Sequence, residues 1–340
     1  MGTYELVDLF AGAGGLGLAA RGLGVPGIGI EWDKNACATR QAAGLATKQG
    51  DVRDFSPSDF PSANVLVGGP PCMVYSVAGA GAARRNLTDT LDLMQRMARR
   101  EDVTARLAQL EDERKHLVLE PLRWALDAID SDRPYEAVVL AQVPSVLPVW
   151  EAMGDVLSAE GYSVACGPLR AEEYGVPQTR RVAVLIARRR GRAALPKATH
   201  QRFGKKSSTA SGTPVLPPCV TMGDVLDRPE PFTVLSSYGF GGDPKDRGQR
   251  TSTQPAATVT GRIFRSRVIT DDDGAIDRLS ASEAGQLQSF PADYPWQGHI
   301  KGQQIGTATP PLLATHILAA ALDLAVQPTR PTETMPIPSR

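Results

Sequence analysis

The stretch Gly68-Gly69-Pro70-Pro71-Cys72-Met73-Val74-Tyr75-Ser76 follows an apolar run, "NVLV", and sets a cysteine at the tip of an abrupt turn. Two glycines and two prolines force that turn at the end of an expected strand. A cysteine so placed reads as a nucleophile or as a small core residue, since free cysteine is among the most buried residue types. Its surroundings must decide.

A second constellation begins at "VDLFAGAGGLGLA" (7–19), which predicts a strand, a glycine turn and then a helix. Such a turn brings backbone amides close to a ligand at a helix N-terminus. Glu31 closes the next apolar run, where a carboxylate can accept hydrogen bonds from ribose hydroxyls. Asp51, in "GDVRDF", opens the following turn and is well placed for an adenine amino group. Either acid could equally cap a helix or sit in an exposed turn. On these residues alone, NAD and S-adenosylmethionine both fit.

The elements that must carry these groups are legible as a pattern. "YELVDLF", "GIGIE", "NVLVG", "AVVLA" and "VAVLIAR" read as buried strands, with helical segments such as "LGLAARGLG" and "NACATRQAAG" between them. That alternation predicts an α/β fold, a doubly wound and mostly parallel sheet with helices on both faces. Residues 87–130 are charged and helical by pattern and predict two helices. From 189 to 275 the texture changes to Gly, Ser, Thr, Pro and Arg, and Lys and Arg outnumber Asp and Glu. The zero net charge of the 340-residue chain therefore hides a basic region of the kind that attracts nucleic acid. "RLSASEAGQLQSF" and "PPLLATHILAAALDLAV" return to helix, and the Pro-rich tail 327–340 is expected to be disordered. The expected division is a catalytic domain over 1–188, a smaller irregular domain over 189–275, and a segment, 276–326, that returns to the first.

Other classes are disfavoured. No run of eighteen apolar residues and no basic leader with an apolar stretch is present, so neither membrane insertion nor secretion is expected. Cys37, Cys72, Cys166 and Cys219 lie far apart with no CxxC pair, and the four histidines are scattered. A disulfide framework and a metal site are both unexpected, and a reducing cytoplasm fits.

Taken in order, "DLFAGAGGLG", "GIEWDKNA", "GDVRDF", "GGPPCMVYSVAG", "YGVPQTRR" and "QQIGTATPP" make the chain resemble the cytosine-5 DNA methyltransferases over residues 4–326. The likeness is weakest over 189–275, where that family keeps its target-recognition domain. The resemblance implies a Rossmann-like fold and S-adenosylmethionine as methyl donor, cradled by Phe10, Gly12, Gly14 and Gly15, with Pro70 and Thr307 beside it. Glu31 would hold the ribose and Asp51 the adenine. Cys72 would attack C6 of a cytosine flipped out of duplex DNA, which makes C5 nucleophilic enough to accept the methyl group. Gln178 and Arg180 would orient the catalytic loop and the flipped base. Double-stranded DNA is the implied partner, gripped or read by Arg247, Arg250, Arg262, Arg265 and Arg267. The last three, in "TGRIFRSRV", alternate with smaller or apolar residues as in a strand facing DNA. A monomer in the cytoplasm of a bacterial or phage-infected cell is expected, with room for a cognate restriction endonuclease as companion.

The departures from the family concentrate where the base would lie. The usual Glu-Asn-Val is Ala141-Gln142-Val143 here, so the glutamate that serves N3 of the base is missing. Gln142 is one residue out of register and should face the other side of its strand. Gln-x-Arg-x-Arg becomes Gln178-Thr179-Arg180-Arg181-Val182, which loses the second arginine, and Gly-Asn becomes Gly306-Thr307. Three readings fit: an active methyltransferase, an impaired homologue, or a site retuned for another base or donor. A nicotinamide dehydrogenase would share the glycine turn but needs neither "GGPPC" nor "YGVPQTRR". A non-catalytic DNA-binding module leaves the glycine turn unexplained.

Overall fold

The structure, a computed structural model, describes residues 3–71, 80–103, 106, 117–204, 215–229, 231–236, 248–270 and 276–326. Cys72, Arg247 and the tail 327–340 lie outside the described residues.

Seven strands form the main sheet: β1 (Leu6–Leu9), β2 (Gly27–Glu31), β3 (Thr47–Gln49), β4 (Val65–Gly68), β5 (Ala137–Gln142), β6 (Ser163–Arg170) and β7 (Arg181–Arg188). Their order is β3-β2-β1-β4-β5-β7-β6. The strands from β1 to β5 run parallel, while β7 is antiparallel to both β5 and β6. Only residues 171–180 join β6 to β7, too few for a crossover helix, so the second strand returns antiparallel. Because β1 has β2 on one side and β4 on the other, chain order reverses at β1, and a crevice opens beyond its C-terminal end.

The strands alternate cleanly between two cores. Val7, Leu9, Leu66, Val138, Leu140 and Leu185 face α3 (Ala80–Ala98), α4 (Glu120–Asp130) and α5 (Leu147–Ala159). Leu6, Val65, Val67, Val139, Ala141, Val182 and Val184 face the other way, against α1 (Gly15–Gly22) and the terminal helix described below. Burial on both faces explains why these strands read as continuous apolar runs. The same parity puts Ala141 and Val182 on one face. In register, Ala141 pairs with Val184, so Val182 is its diagonal neighbour across the sheet.

A smaller antiparallel sheet, order β11-β10-β8-β9, is built from β8 (Phe232–Leu235), β9 (Gln249–Thr251), β10 (Arg267–Thr270) and β11 (Ile276–Asp277). Its apolar face joins a third core with α6 (Ala281–Leu287), α7 (Lys301–Thr307) and the mutually packed rings of Phe290, Tyr294 and Trp296. Of the segment 276–326, α8 (Pro311–Leu322) packs on the main sheet, whereas α6 and α7 pack with the small one. The stretch Lys301–Leu322 is long and apolar enough to cross a membrane by composition, yet it is two helices meeting at Pro310, and most of it is buried inside the protein.

One expectation fails here. "TGRIFRSRV" is not a continuous strand: Ile263–Arg265 is a single 3-10 turn, and β10 begins only at Arg267. Ile263 is buried in the third core, which bends the chain inward between the exposed Arg262 and Arg265.

Candidate active site

At the crevice the chain leaves β1 through Phe10, Gly12 and Gly14, all at positive φ (58°, 53° and 103°). Phe10 holds the costly left-handed conformation without glycine's freedom, a strain typical of functional loops. Gly14 is the N-cap of α1, and no side chain caps that helix. Its first amides are therefore available to a ligand. A Cβ on Gly15 would lie 1.9 Å from the carbonyl oxygen of Thr309. Because the obstacle is backbone, Gly15→Ala must push α1 away from residues 307–309. We expect it to cost about 1–3 kcal/mol and to abolish donor binding, read by thermal melting and calorimetry. Unchanged donor binding would remove this loop from the site.

Glu31 sits at the end of β2 and braces the loop. One of its oxygens accepts from Gly12 N–H at 2.7 Å and the other from Asp33 N–H at 2.8 Å. Each carboxylate oxygen keeps a further lone pair for a hydroxyl donor. Asp51 accepts from Arg53 through its backbone N–H (2.9 Å) and its guanidinium (2.8 Å). Those hydrogen bonds hold its carboxyl below the usual range, so it remains an acceptor. Next to Glu31 in sequence, Trp32 is 72% exposed, a bare indole that sequence reasoning passed over. Its signal was available: a large aromatic directly after Glu31.

Below the loop, Asp8 is fully buried with Arg40 3.9 Å away. Burial raises its carboxyl to about 7 despite that cation. Arg40 spends its donors on Ala11 O, Ala46 O and the Thr47 hydroxyl, and so ties the loop to the next connection.

A cavity joins the loop to the ends of β5 and β7. Phe10, Gly12, Gly15 and Thr307 line it together with Gly69, Ala141, Gln142, Arg180 and Val182. Strand parity excluded Gln142, but the cavity caps the strand end, and both faces reach it. The Gln142 amide donates to Pro70 O at 2.7 Å, and its oxygen accepts from Val143 N–H at 2.7 Å. It thereby anchors the turn that leads to Cys72. Gly14, Glu31, Asp51 and Pro70 are not among the cavity's walls.

Gln178 is fully buried and binds across the units. Its Nε2 donates to Leu287 O (2.7 Å) and Gln288 Oε1 (2.5 Å), and its Oε1 accepts from Val259 N–H (3.0 Å). Arg180 donates one nitrogen to Val259 O (3.1 Å) and Gly306 O (2.9 Å), and no carboxylate among the described residues pairs with it. Burial lowers its guanidinium to about 10, so it stays charged at neutral pH. "YGVPQTRR" thus staples the small sheet and α7 to the main sheet while presenting one cation to the cavity. Thr307 gives its hydroxyl hydrogen to Gln303 O. Of the arginines, Arg265 and Arg267 are exposed, whereas Arg250 is folded over the Phe203 ring at 5.1 Å.

The family model for C-5 cytosine-specific DNA methylase matches residues 4–99 and 145–322. The chain belongs to that family. The unmatched stretch, 100–144, contains Ala141. Type II methyltransferase M1.HphI of Haemophilus parahaemolyticus is 26% identical over 358 residues, covering 95% of this chain and 87% of that one. M.AplI of Arthrospira platensis is 26% identical over 346 residues, 96% and 88%. M.HaeII of Haemophilus aegyptius reaches 37%, but over 92 residues, 27% of this chain and 29% of that one. Among solved structures, S. pombe Dnmt2 methyltransferase superposes with a TM-score of 0.62 at 13% identity, covering 94% of this chain and 98% of that one. Entamoeba histolytica methyltransferase EhMeth gives 0.61 at 12%, 95% and 99%. At such identities the structures share the fold. Methyltransferases of this family act on DNA and use S-adenosylmethionine.

Proposed function

We propose that this chain transfers a methyl group from S-adenosylmethionine to C5 of a pyrimidine, cytosine in the family's usual reaction, flipped from duplex DNA. The observation that carries the reading is the shared cavity: glycine-loop residues and strand-end residues line one space. The loop suits the donor. Its amides are uncapped, the Glu31 carboxylate has lone pairs left for the ribose, and Trp32 offers a face for the adenine. The donor supplies an electrophilic methyl group.

The chain's residues supply the rest. Cys72, two residues past the anchored Pro70, adds as thiolate to C6 of the base. Arg180 faces the ring with N–H donors and stabilises charge that develops there. Gln142 holds the turn, and Gln178 fixes Arg180 by binding both units. Residues 189–275 grip the DNA, and the exposed Arg265 and Arg267 contact phosphate or guanine.

Incubating the protein with duplex DNA and methyl-labelled donor, then identifying the labelled nucleoside by mass spectrometry, tests the reading. Binding of NAD in place of S-adenosylmethionine would sink it. The DNA face has its own check. Arg265→Ala is expected to weaken binding to all sequences and to lower the slope of log affinity against log salt by about one. DNA affinity that ignores salt would move the contact elsewhere.

A further inference from the structure

The base end of the cavity has an unusual polar inventory. Ala141, Val182, Gln142 and Arg180 line it there. No acid is among the described residues that line it, and the sequence 72–79, "CMVYSVAG", contains none. Glu31 is bonded to Gly12 and Asp33, and Asp8 is buried within β1 and is not among the described lining residues. A guanidinium has donors only, and the Gln142 oxygen, which accepts from Val143, keeps one lone pair but its amide has no acidic proton to give.

That inventory distinguishes the two pyrimidines. Thiolate addition at C6 of cytosine drives charge through C5 and C4 onto N3, which must take a proton to give the enamine. Its exocyclic amino group also wants acceptors. In uracil N3 already carries hydrogen, and the charge arrives on O4 as an enolate. Donors and a cation stabilise such an oxygen without giving up a proton.

We propose that this pocket engages uracil in nucleic acid as a C5 substrate in preference to cytosine. The proposal rests on the covalent mechanism above. The Cys72 sulfur–C6 bond forms, the C5–C6 π pair shifts toward O4, and the enolate carbon takes an electrophile at C5. The original C5 hydrogen then leaves as a proton to water. The sulfur–C6 bond breaks, which restores the ring double bond and the thiolate. With a methyl group as electrophile the product is thymine. With a deuteron from solvent the same cycle exchanges C5–H and needs no donor.

The deuteron version gives the first test. A mixed-sequence duplex library is compared with the same library after cytosines of one strand have been deaminated to uracil and that strand re-annealed to its unchanged complement. Both are incubated with the full chain in D2O without donor, and C5 deuterium in deoxyuridine and deoxycytidine is measured by mass spectrometry. We expect exchange at uracil to exceed exchange at cytosine by about tenfold or more, general acid assistance being worth about 10²–10⁴-fold where it is needed and present. With trideuteromethyl donor, labelled thymidine should exceed labelled 5-methyldeoxycytidine. Exchange and label at cytosine equal to or above those at uracil would overturn the preference and leave the methyltransferase reading standing. Neither exchange nor label on either base, in protein that melts cooperatively, would overturn both.

Discussion

Cys72→Ser is expected to abolish turnover and covalent trapping by 5-fluorocytosine in DNA while leaving donor affinity nearly unchanged. A serine hydroxyl is far harder to ionise than a thiol and is a poor nucleophile without an adjacent base. The glycine loop proposed to hold the donor is separate: it follows β1, whereas Cys72 follows β4. The described cysteines, Cys37, Cys166 and Cys219, are poor rivals. Burial pushes the Cys37 and Cys166 thiols up to about 11 and raises Cys219 as well, which suppresses their thiolates at neutral pH. Trapping is read by gel shift under denaturing conditions and donor binding by calorimetry. Methylation by Cys72→Ser would overturn the covalent mechanism.

The sheet was legible where burial is two-sided. β1, β4, β5 and β7 are mostly apolar because each is covered on both faces, and such runs announce themselves. The edge strands did not. β3 is "TKQ" and β6 is "SVACGPLR", both only partly buried, and an edge strand needs no apolar code. The reversed direction of β7 was equally hidden, since direction depends on the connection and not on the strand. In the site, local motifs placed Phe10, Gly12, Gly15, Arg180 and Thr307 around one space. Gln178's bonds to Leu287, Gln288 and Val259 span long stretches of chain and leave no local signature. The arginine alternation in "TGRIFRSRV" misled because a turn with one buried isoleucine produces the same spacing as a strand.

Ala141→Glu is expected to raise cytosine methylation by ~10²-fold, the lower end of what a positioned general acid supplies. Residue 141 lines the cavity on the same sheet face as Val182, with Arg180 at the end of that face. A carboxyl group there would meet a cation that now lacks an acidic partner among the described residues. It would also give N3 a proton and accept from the cytosine amino group. For uracil the same carboxylate opposes charge on O4, so C5 exchange at uracil should fall in this variant. Val182→Arg alone sets a second guanidinium beside Arg180 in a wall that is now apolar and 4% exposed, and it should destabilise the protein. In the Ala141→Glu background the new cation gains a carboxylate partner across the diagonal. The pair is therefore expected to exceed the sum of its members, because both act around one base. The measurement is the rate of 5-methyldeoxycytidine formation in the four proteins, with melting temperature and donor affinity taken alongside. A gain in rate that vanishes at alkaline pH would identify the introduced acid as the proton donor. A parent that methylates cytosine fast, with no gain from either change, would mean that another group already serves N3.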